Sequence, residues 1–142
     1  MAQKKVNAVI HSQEKLAEGI YSMWLDAPEM AKAAVPGQFI AVYTNDQSKL
    51  LPRPISICEA DKENGRLRIV YRIAGAGTKE FSAYKEGDTL DIMGPLGNGF
   101  PLKKKKAFLI GGGIGIPPML ELAKKLDCEK TAVSGYRDKE TF

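Results

Sequence analysis

The chain has 142 residues, 44% of them hydrophobic and 27% charged, with a formal net charge of +4. Those values suit one ordinary soluble domain, or one domain and part of another, large enough to bury roughly 70% of its unfolded surface. They exclude a membrane helix, since no apolar run approaches the ~20 residues required, and MAQKKVNAV lacks a signal peptide's apolar core.

Cys58 and Cys128 are the only cysteines. They indicate neither a disulfide framework nor a metal site, and a reduced cytoplasmic setting is expected. The densest charge, Lys103–Lys106, has no aromatics among its lysines. It reads as a solvated linker, so neither nucleic acid nor a membrane is expected as a partner.

In chain order, strands are predicted at Val6–Ile10 and Ile20–Asp26, a helical turn or two at Pro28–Ala34, and strands at Gln38–Tyr43 and Ile55–Cys58. Asp61–Gly65 (DKENG) is a turn by composition. Arg66–Arg72 alternates cleanly, with Leu67, Ile69 and Tyr71 on one face and Arg66, Arg68 and Arg72 on the other. Thr89–Met93 closes the series. Short strands broken by Gly and Pro point to a small antiparallel barrel or sandwich.

After the lysines the pattern changes. Ala107–Ile110 (AFLI) is a continuous apolar strand of the kind buried on both faces of a parallel sheet. It enters GGGIGIPP and then a helix with apolar positions Met119, Leu122, Ala123 and Leu126. Pro117 and Pro118 are tolerated in a first helical turn. A second strand at Thr131–Ser134 completes one β-loop-α-β unit. The expected division is residues 1–100 and residues 101–142, the second incomplete. No internal repeat is present.

Three stretches carry the chemistry. LPRPISIC sets Arg53 between two prolines, a stiffened mount for a guanidinium that can grip a phosphate with two parallel donors. Ser56 lies farther along the same strand. AGAGTKEFS places Gly75 and Gly77 before Thr78, a candidate N-cap for a short helix. It fits an anion site or a plain capped connection. GGGIGIPP puts Gly111, Gly112, Gly113 and Gly115 between strand and helix, where missing Cβ atoms let a phosphate approach backbone N–H groups. Ile116 stands where the strict dinucleotide pattern has its third glycine, and a tight ligand-free turn is the alternative. GPLGNGF, Gly94–Phe100, reads as a loop joining the two parts. No His, Asp or Glu is singled out as a catalytic acid or base; His11 is expected at a strand end on the surface.

The ordered set PGQF, RPIS, VYRIAGAGT, GPLGNGF and GGGIGIPP resembles ferredoxin-NADP reductase-like flavoproteins. The resemblance spans essentially the whole chain. Within that family it is nearest to the electron-transfer subunits of two-subunit, NAD-dependent dihydroorotate dehydrogenases. It implies an all-β antiparallel flavin-binding barrel followed by the start of an α/β nucleotide-binding domain, with FAD in the first and NAD(H) on the second. By position, Arg53, Pro54, Ile55 and Ser56 would line the FAD, Arg53 near phosphate and Ser56 near the isoalloxazine. Many relatives carry a flavin-stacking Tyr where this chain has Ile55. Val70, Tyr71 and Arg72 would touch the flavin, Gly77 and Thr78 its pyrophosphate, and Gly111–Gly115 would floor the nicotinamide nucleotide site. Trp24 and Tyr71 are expected as core or flavin-shelf aromatics.

The resemblance further implies a C-terminal cysteine cluster holding a [2Fe–2S] centre and an FMN-containing catalytic partner subunit in a heterotetramer that oxidises dihydroorotate. Neither Cys58 nor Cys128 resembles the cluster's ligands, so a chain ending at Phe142 is expected to be a fragment. Two rival readings are another reductase of the superfamily (a transhydrogenase or sulfide dehydrogenase subunit), and a non-enzymatic β-barrel binding module.

Overall fold

The computed structural model describes residues 5–46, 48 and 51–139. Six strands close into an antiparallel barrel: β1 (Lys5–Ala17), β2 (Ile20–Asp26), β3 (Phe39–Val42), β4 (Arg53–Asp61), β5 (Arg66–Arg72) and β6 (Thr89–Leu96). Their order around the barrel is β1-β2-β5-β4-β3-β6, with β6 returning to β1. Closure gives every strand two neighbours. Helix α1 (Pro28–Ala33) follows β2, and α2 (Ala76–Ser82) follows β5.

The period-2 pattern accounts for the core. Leu67, Ile69 and Tyr71 of β5 are buried, and they meet Ile10, Met23, Leu25, Ile40, Leu90 and Ile92 inside the barrel. The opposite face of β5 carries Arg66 and Arg68, half-buried, and Arg72, exposed. Arg66 Nε pairs with Asp26 at 3.0 Å, and Arg68 Nε donates to Ser22 Oγ at 2.8 Å. Phe81 of α2 is fully buried and meets Tyr71 edge-on, closing one end of this core.

Several elements exceed their predicted bounds. β1 runs seven residues past Ile10 because bulges after Ile10 and after Lys15 interrupt the alternation that would have marked it. His11 therefore lies within a long strand, half-buried, rather than at a strand end on the surface. Gly94–Leu96 belongs to β6 rather than to a loop. The rest of GPLGNGF folds back on PGQF. A Cβ on Gly37 would sit 2.8 Å from the Phe100 ring, and one on Gly99 would sit 2.7 Å from Val35.

The second unit comprises β7 (Ala107–Gly112), a 3₁₀ turn (Gly113–Gly115), α3 (Pro118–Lys125) and β8 (Lys130–Gly135), with β7 and β8 parallel. The exposed lysines 103–106 connect it to the barrel as a solvated linker. Leu109, Leu122 and Leu126 form its small core, with Met119 and Ala123 packed against them. Lys130 Nζ donates to the α3 carbonyls of Ala123 (2.6 Å) and Leu126 (2.8 Å), tying β8 to the helix end. The prediction that Ala107–Ile110 is buried on both faces does not hold. Phe108 and Ile110 are 63% and 73% exposed, because α3 covers one face of this two-stranded sheet and the described residues put nothing on the other.

The two units therefore differ in what a truncated side chain costs. Ile69→Ala, at 0% exposure in the barrel core, is expected to lower unfolding free energy by about 2–5 kcal/mol. Ile110→Ser should change it by no more than about 0.5 kcal/mol. Urea denaturation followed by Trp24 fluorescence measures both, and equal losses would contradict this division.

Candidate functional site

One cavity of about 450 Å³ brings three predicted motifs together. Arg53, Pro54, Ile55 and Ser56 form one wall, Val70, Tyr71 and Arg72 another, and Ala74, Thr78 and Ile114 complete it. The cavity exists because two neighbouring strands separate. β4 pairs with β5 only from Ile57 onward, opposite Ile69. Continuing that register would set Ser56 against Val70 and Pro54 against Arg72, but those residues stand on opposite walls instead.

Backbone chemistry contributes to the parting. Ile57 N–H donates to Gln38 O, at the β3 side. Amides alternate sides along an antiparallel strand, so Ile55 also faces β3 while residue 54 would face β5. Residue 54 is proline and has no N–H to give. Pairing with β3 continues through Arg53↔Val42, so the strand is held from one side only.

The loop above the cavity is pinned from within. Thr78 Oγ1 accepts from the N–H groups of Ala74 (2.8 Å) and Gly75 (3.2 Å). Thr78 is not the N-cap that the sequence suggested. That position is Gly75, and Thr78 is the third helical residue, reaching back to brace its own loop. Gly77 is buried because Arg53 lies across it; a Cβ there would sit 2.8 Å from Arg53 Nε and 3.2 Å from its Cγ. The other end of α2 is anchored by Gln13, whose Nε2 donates to the carbonyls of Phe81 (2.9 Å) and Tyr84 (2.8 Å). Gln13 Oε1 in turn accepts from the Tyr71 hydroxyl at 2.5 Å. The Tyr71 side chain is thus a core aromatic, stacked near Tyr21 and 2% exposed.

Electrostatically the cavity is cationic. Two guanidiniums, Arg53 and Arg72, line it, and no carboxylate does. Among the described residues neither has a carboxylate partner, and Arg53 makes only a long 3.4 Å contact to Leu51 O. Apolar Pro54, Ile55, Val70 and Ile114 supply the rest of the lining. An anionic group joined to a flat apolar one matches these walls, which is the chemistry of a flavin nucleotide.

A second cavity, of about 620 Å³, adjoins at Arg72, which lines both. It opens at the C-terminal ends of β7 and β8, where Gly113 and Gly135 lie, and it includes Glu18, Ile20 and Tyr136. Ligands of open α/β sheets occupy this position. Of the predicted glycines only Gly113 lines it, with φ +54° and its Cβ position 3.7 Å from Arg72 Nη2. Gly111 and Gly112 end β7. At Gly111 a Cβ would stand 3.0 Å from Ile116 Cα, so that glycine serves the strand-to-helix turn. Gly115 ends the 3₁₀ turn and its Cβ position meets nothing within 4 Å. Among the described residues no three His, Cys, Asp or Glu side chains gather to hold a metal. They supply no ligand set for an iron–sulfur centre.

Sequence reasoning missed Ala74 and Ile114 in the first cavity and Glu18 and Tyr136 in the second. Ile114 carries no signal of its own, since it reaches the barrel only through the docking of the second unit.

Fold and site together define a flavin-binding reductase-type barrel followed by a βαβ unit. Residues 7–100 match the family model described as oxidoreductase FAD-binding domain, and the chain belongs to that family. Among curated proteins it is 46% identical to the electron transfer subunit of dihydroorotate dehydrogenase B (NAD(+)) from Streptococcus mutans, over 96% of this chain and 55% of that one. The subunits of the same name from Streptococcus pneumoniae (44%, 91% of this chain, 53% of that one) and Enterococcus faecalis (42%, 99% and 56%) are similar. The chain spans about half the length of these relatives. Among solved structures, an NADH-dependent reduced ferredoxin-NADP oxidoreductase matches with TM-score 0.86 and 32% identity, over 99% of this chain and 52% of that one. Phthalate dioxygenase reductase matches with TM-score 0.74 and 28% identity, over 96% and 45%.

Around the cavity, buried acids resist ionisation. Burial pushes the Cys58 thiol up to about 11 from an ordinary 9.0. Burial, helped by the Glu80 carboxylate, pushes the Tyr84 hydroxyl up to about 12 from 10.0, and burial raises Tyr71 further. In the unfolded chain these groups lose their protons first, so the folded state binds more protons between the two sets of values. Stability is therefore full below about pH 9 and falls as pH rises through 11 and 12. Urea midpoints measured from pH 7 to pH 11.5 should stay level and then drop. Cys58→Ala should remove part of the drop, on the order of 2 kcal/mol at most.

Proposed function

We propose that the chain is the FAD-binding portion of an electron-transfer subunit that passes electrons between a dihydroorotate dehydrogenase catalytic subunit and NAD in pyrimidine biosynthesis. The observation that carries this reading is the cavity between β4 and β5, with two guanidiniums that have no carboxylate partner among the described residues, set among apolar walls. Its support from relatives is the shared name of curated proteins at 42–46% identity. That name favours this reading over a transhydrogenase or sulfide dehydrogenase subunit, although the likeness to the NADH-dependent reductase shows how near the two groups lie.

Each part of the chain has a task in this reading. Arg53 grips the FAD phosphates from a backbone that the prolines stiffen, and Gly77 gives the guanidinium room to lie flat against α2. Thr78 shapes the loop that faces the pyrophosphate. Pro54, Ile55, Ser56 and Val70 form the shelf for the ring system, and Arg72 adds a second positive charge. Bound FAD supplies two-electron acceptance from a nicotinamide and one-electron release to a partner. The second cavity, with Gly113 at its edge, holds the NAD(H) nucleotide. The catalytic partner holds FMN in a heterotetramer, and any iron–sulfur ligands lie outside the described residues. The setting is cytoplasmic; among the described residues no helix is long and apolar enough to cross a membrane.

Two measurements test this. In FAD titrations, Arg53→Ala should weaken affinity by about 1.5–3 kcal/mol, roughly 10- to 150-fold. Arg53→Lys should recover only part of that, because an ammonium lacks the fork. Gly77→Ala should also weaken binding, since its new Cβ displaces Arg53. Parent-like affinity in all three would refute the assigned phosphate site.

The electron path is tested on the assembly purified from the native source. It should contain both FAD and FMN, and anaerobic addition of either dihydroorotate or NADH should bleach the FAD absorbance. An assembly without FMN, or one that bleaches only with NADH, would redirect the assignment to another reductase.

A further inference from the structure

We infer that Glu121 is a positioning residue, a latch through which the barrel holds the second unit's glycine turn against the flavin cavity. The latch rests on the reading of that cavity as the flavin site only for its consequence, not for its geometry.

Glu121 lies on α3 and is 2% exposed, the only buried carboxylate among the described residues. A buried carboxylate is costly unless it is hydrogen-bonded and paired. Its Oε2 accepts the Ala60 N–H of β4 at 3.0 Å, across 61 residues of sequence. Lys125, one turn along, brings Nζ to 4.0 Å of Oε1.

The donor is available because β3 ends before it. Pairing of β3 with β4 stops at Phe39↔Ser56, and Ala60, which stands opposite Leu67 of β5, turns its N–H to the side that β3 no longer covers. Glu121 meets that uncovered edge. Beside it, Glu59 of β4 accepts from Lys124 Nζ at 2.8 Å and meets Arg68 at 3.5 Å. The helix is thus held to β4 by one buried hydrogen bond with an ion-paired rim, and apolar packing plays a smaller part.

What the latch positions is the turn just before α3. Gly113 sits beside Arg72, and Ile114 forms part of the flavin cavity. Pro117 and Pro118 make a stiff joint between that turn and the helix carrying Glu121. A stiff joint transmits the helix's placement to Ile114. The latch therefore sets the second unit's wall of the cavity at Ile114, seven residues before Glu121.

The test compares Glu121→Ala with Glu121→Gln, whose amide oxygen can still accept the Ala60 N–H. Hydrogen exchange of the full chain without added FAD reads the joint directly. In the Ala variant, the Ala60 amide and residues 118–125 should exchange at least tenfold faster, while β1, β2 and β5 keep parent rates. The Gln variant should stay within about threefold of the parent. Visible circular dichroism of the FAD-loaded protein reads the consequence: the flavin bands should change in the Ala variant and return in the Gln variant. Unchanged exchange in the Ala variant would overturn the latch. Faster exchange with unchanged flavin bands would overturn the positioning role. If the parent takes up no FAD, the flavin reading fails while the exchange result still decides the joint. An Ala variant that loses barrel protection as well would make Glu121 a general stability residue and overturn the proposal.

Discussion

The one-sided pairing of β4 at its start, where Pro54 lacks an amide hydrogen, is the constraint on which the cavity depends. A closed barrel gains stability by satisfying every strand from both sides. Pairing with β5 runs only from Ile57 onward, and at residue 54 the side facing β5 has no donor with which to resume it. The separation costs ladder bonds, yet it opens a cleft whose two walls are the ends of neighbouring strands. Arg53 and Arg72 stand on those walls, one on each side. Other cations are paired: Arg66 with Asp26, Arg68 and Lys124 with Glu59, Lys15 with Glu18. Two guanidiniums in one cleft, without carboxylate partners among the described residues, raise the local potential, and an anion entering the cleft lowers it.

The barrel and the second unit solve different physical problems. The barrel buries one continuous core, from Ala8 and Ile10 through Ile92. The second unit buries three leucines and leaves Phe108, Ile110 and Val133 at least half exposed on its sheet. Its order therefore depends more on its junctions, at Lys130 with the α3 carbonyls and at α3 with β4. This asymmetry fits a scaffold in which the first part fixes a cofactor and the second adds a wall to it.

Much of this was legible in the residues, and what was not has a physical cause. Clean alternation at Arg66–Arg72 marked β5 and its buried face, because a two-sided strand with one wet face has an unmistakable period. The RPIS, VYR and GT pieces could be assigned to one ligand, and the structure brings them to one cavity. The second half of β1 stayed hidden because its bulges break the period and its residues, HSQEKLA, are mostly polar. Thr78 read as a cap because threonine before a helical stretch usually is one; the helix in fact starts at Ala76, three residues earlier than a Thr78 cap implies. AFLI read as doubly buried because apolar runs carry no information about which face is covered.

Glu121 illustrates the limit most plainly. In MLELAKKL a glutamate four residues before a lysine reads as an exposed helix pair, and nothing local distinguishes it from one. Its burial follows from where α3 meets β4, a fact set by the whole fold. A polar joint of this kind brings specificity that apolar packing lacks. Leucine against a sheet tolerates sliding, whereas a carboxylate must find a donor such as the Ala60 N–H that β4 presents beyond the end of β3. Any slip would bury the charge without a partner, so the helix docks in a single register. That register puts Ile114 and Gly113 beside Arg72, where the two cavities meet.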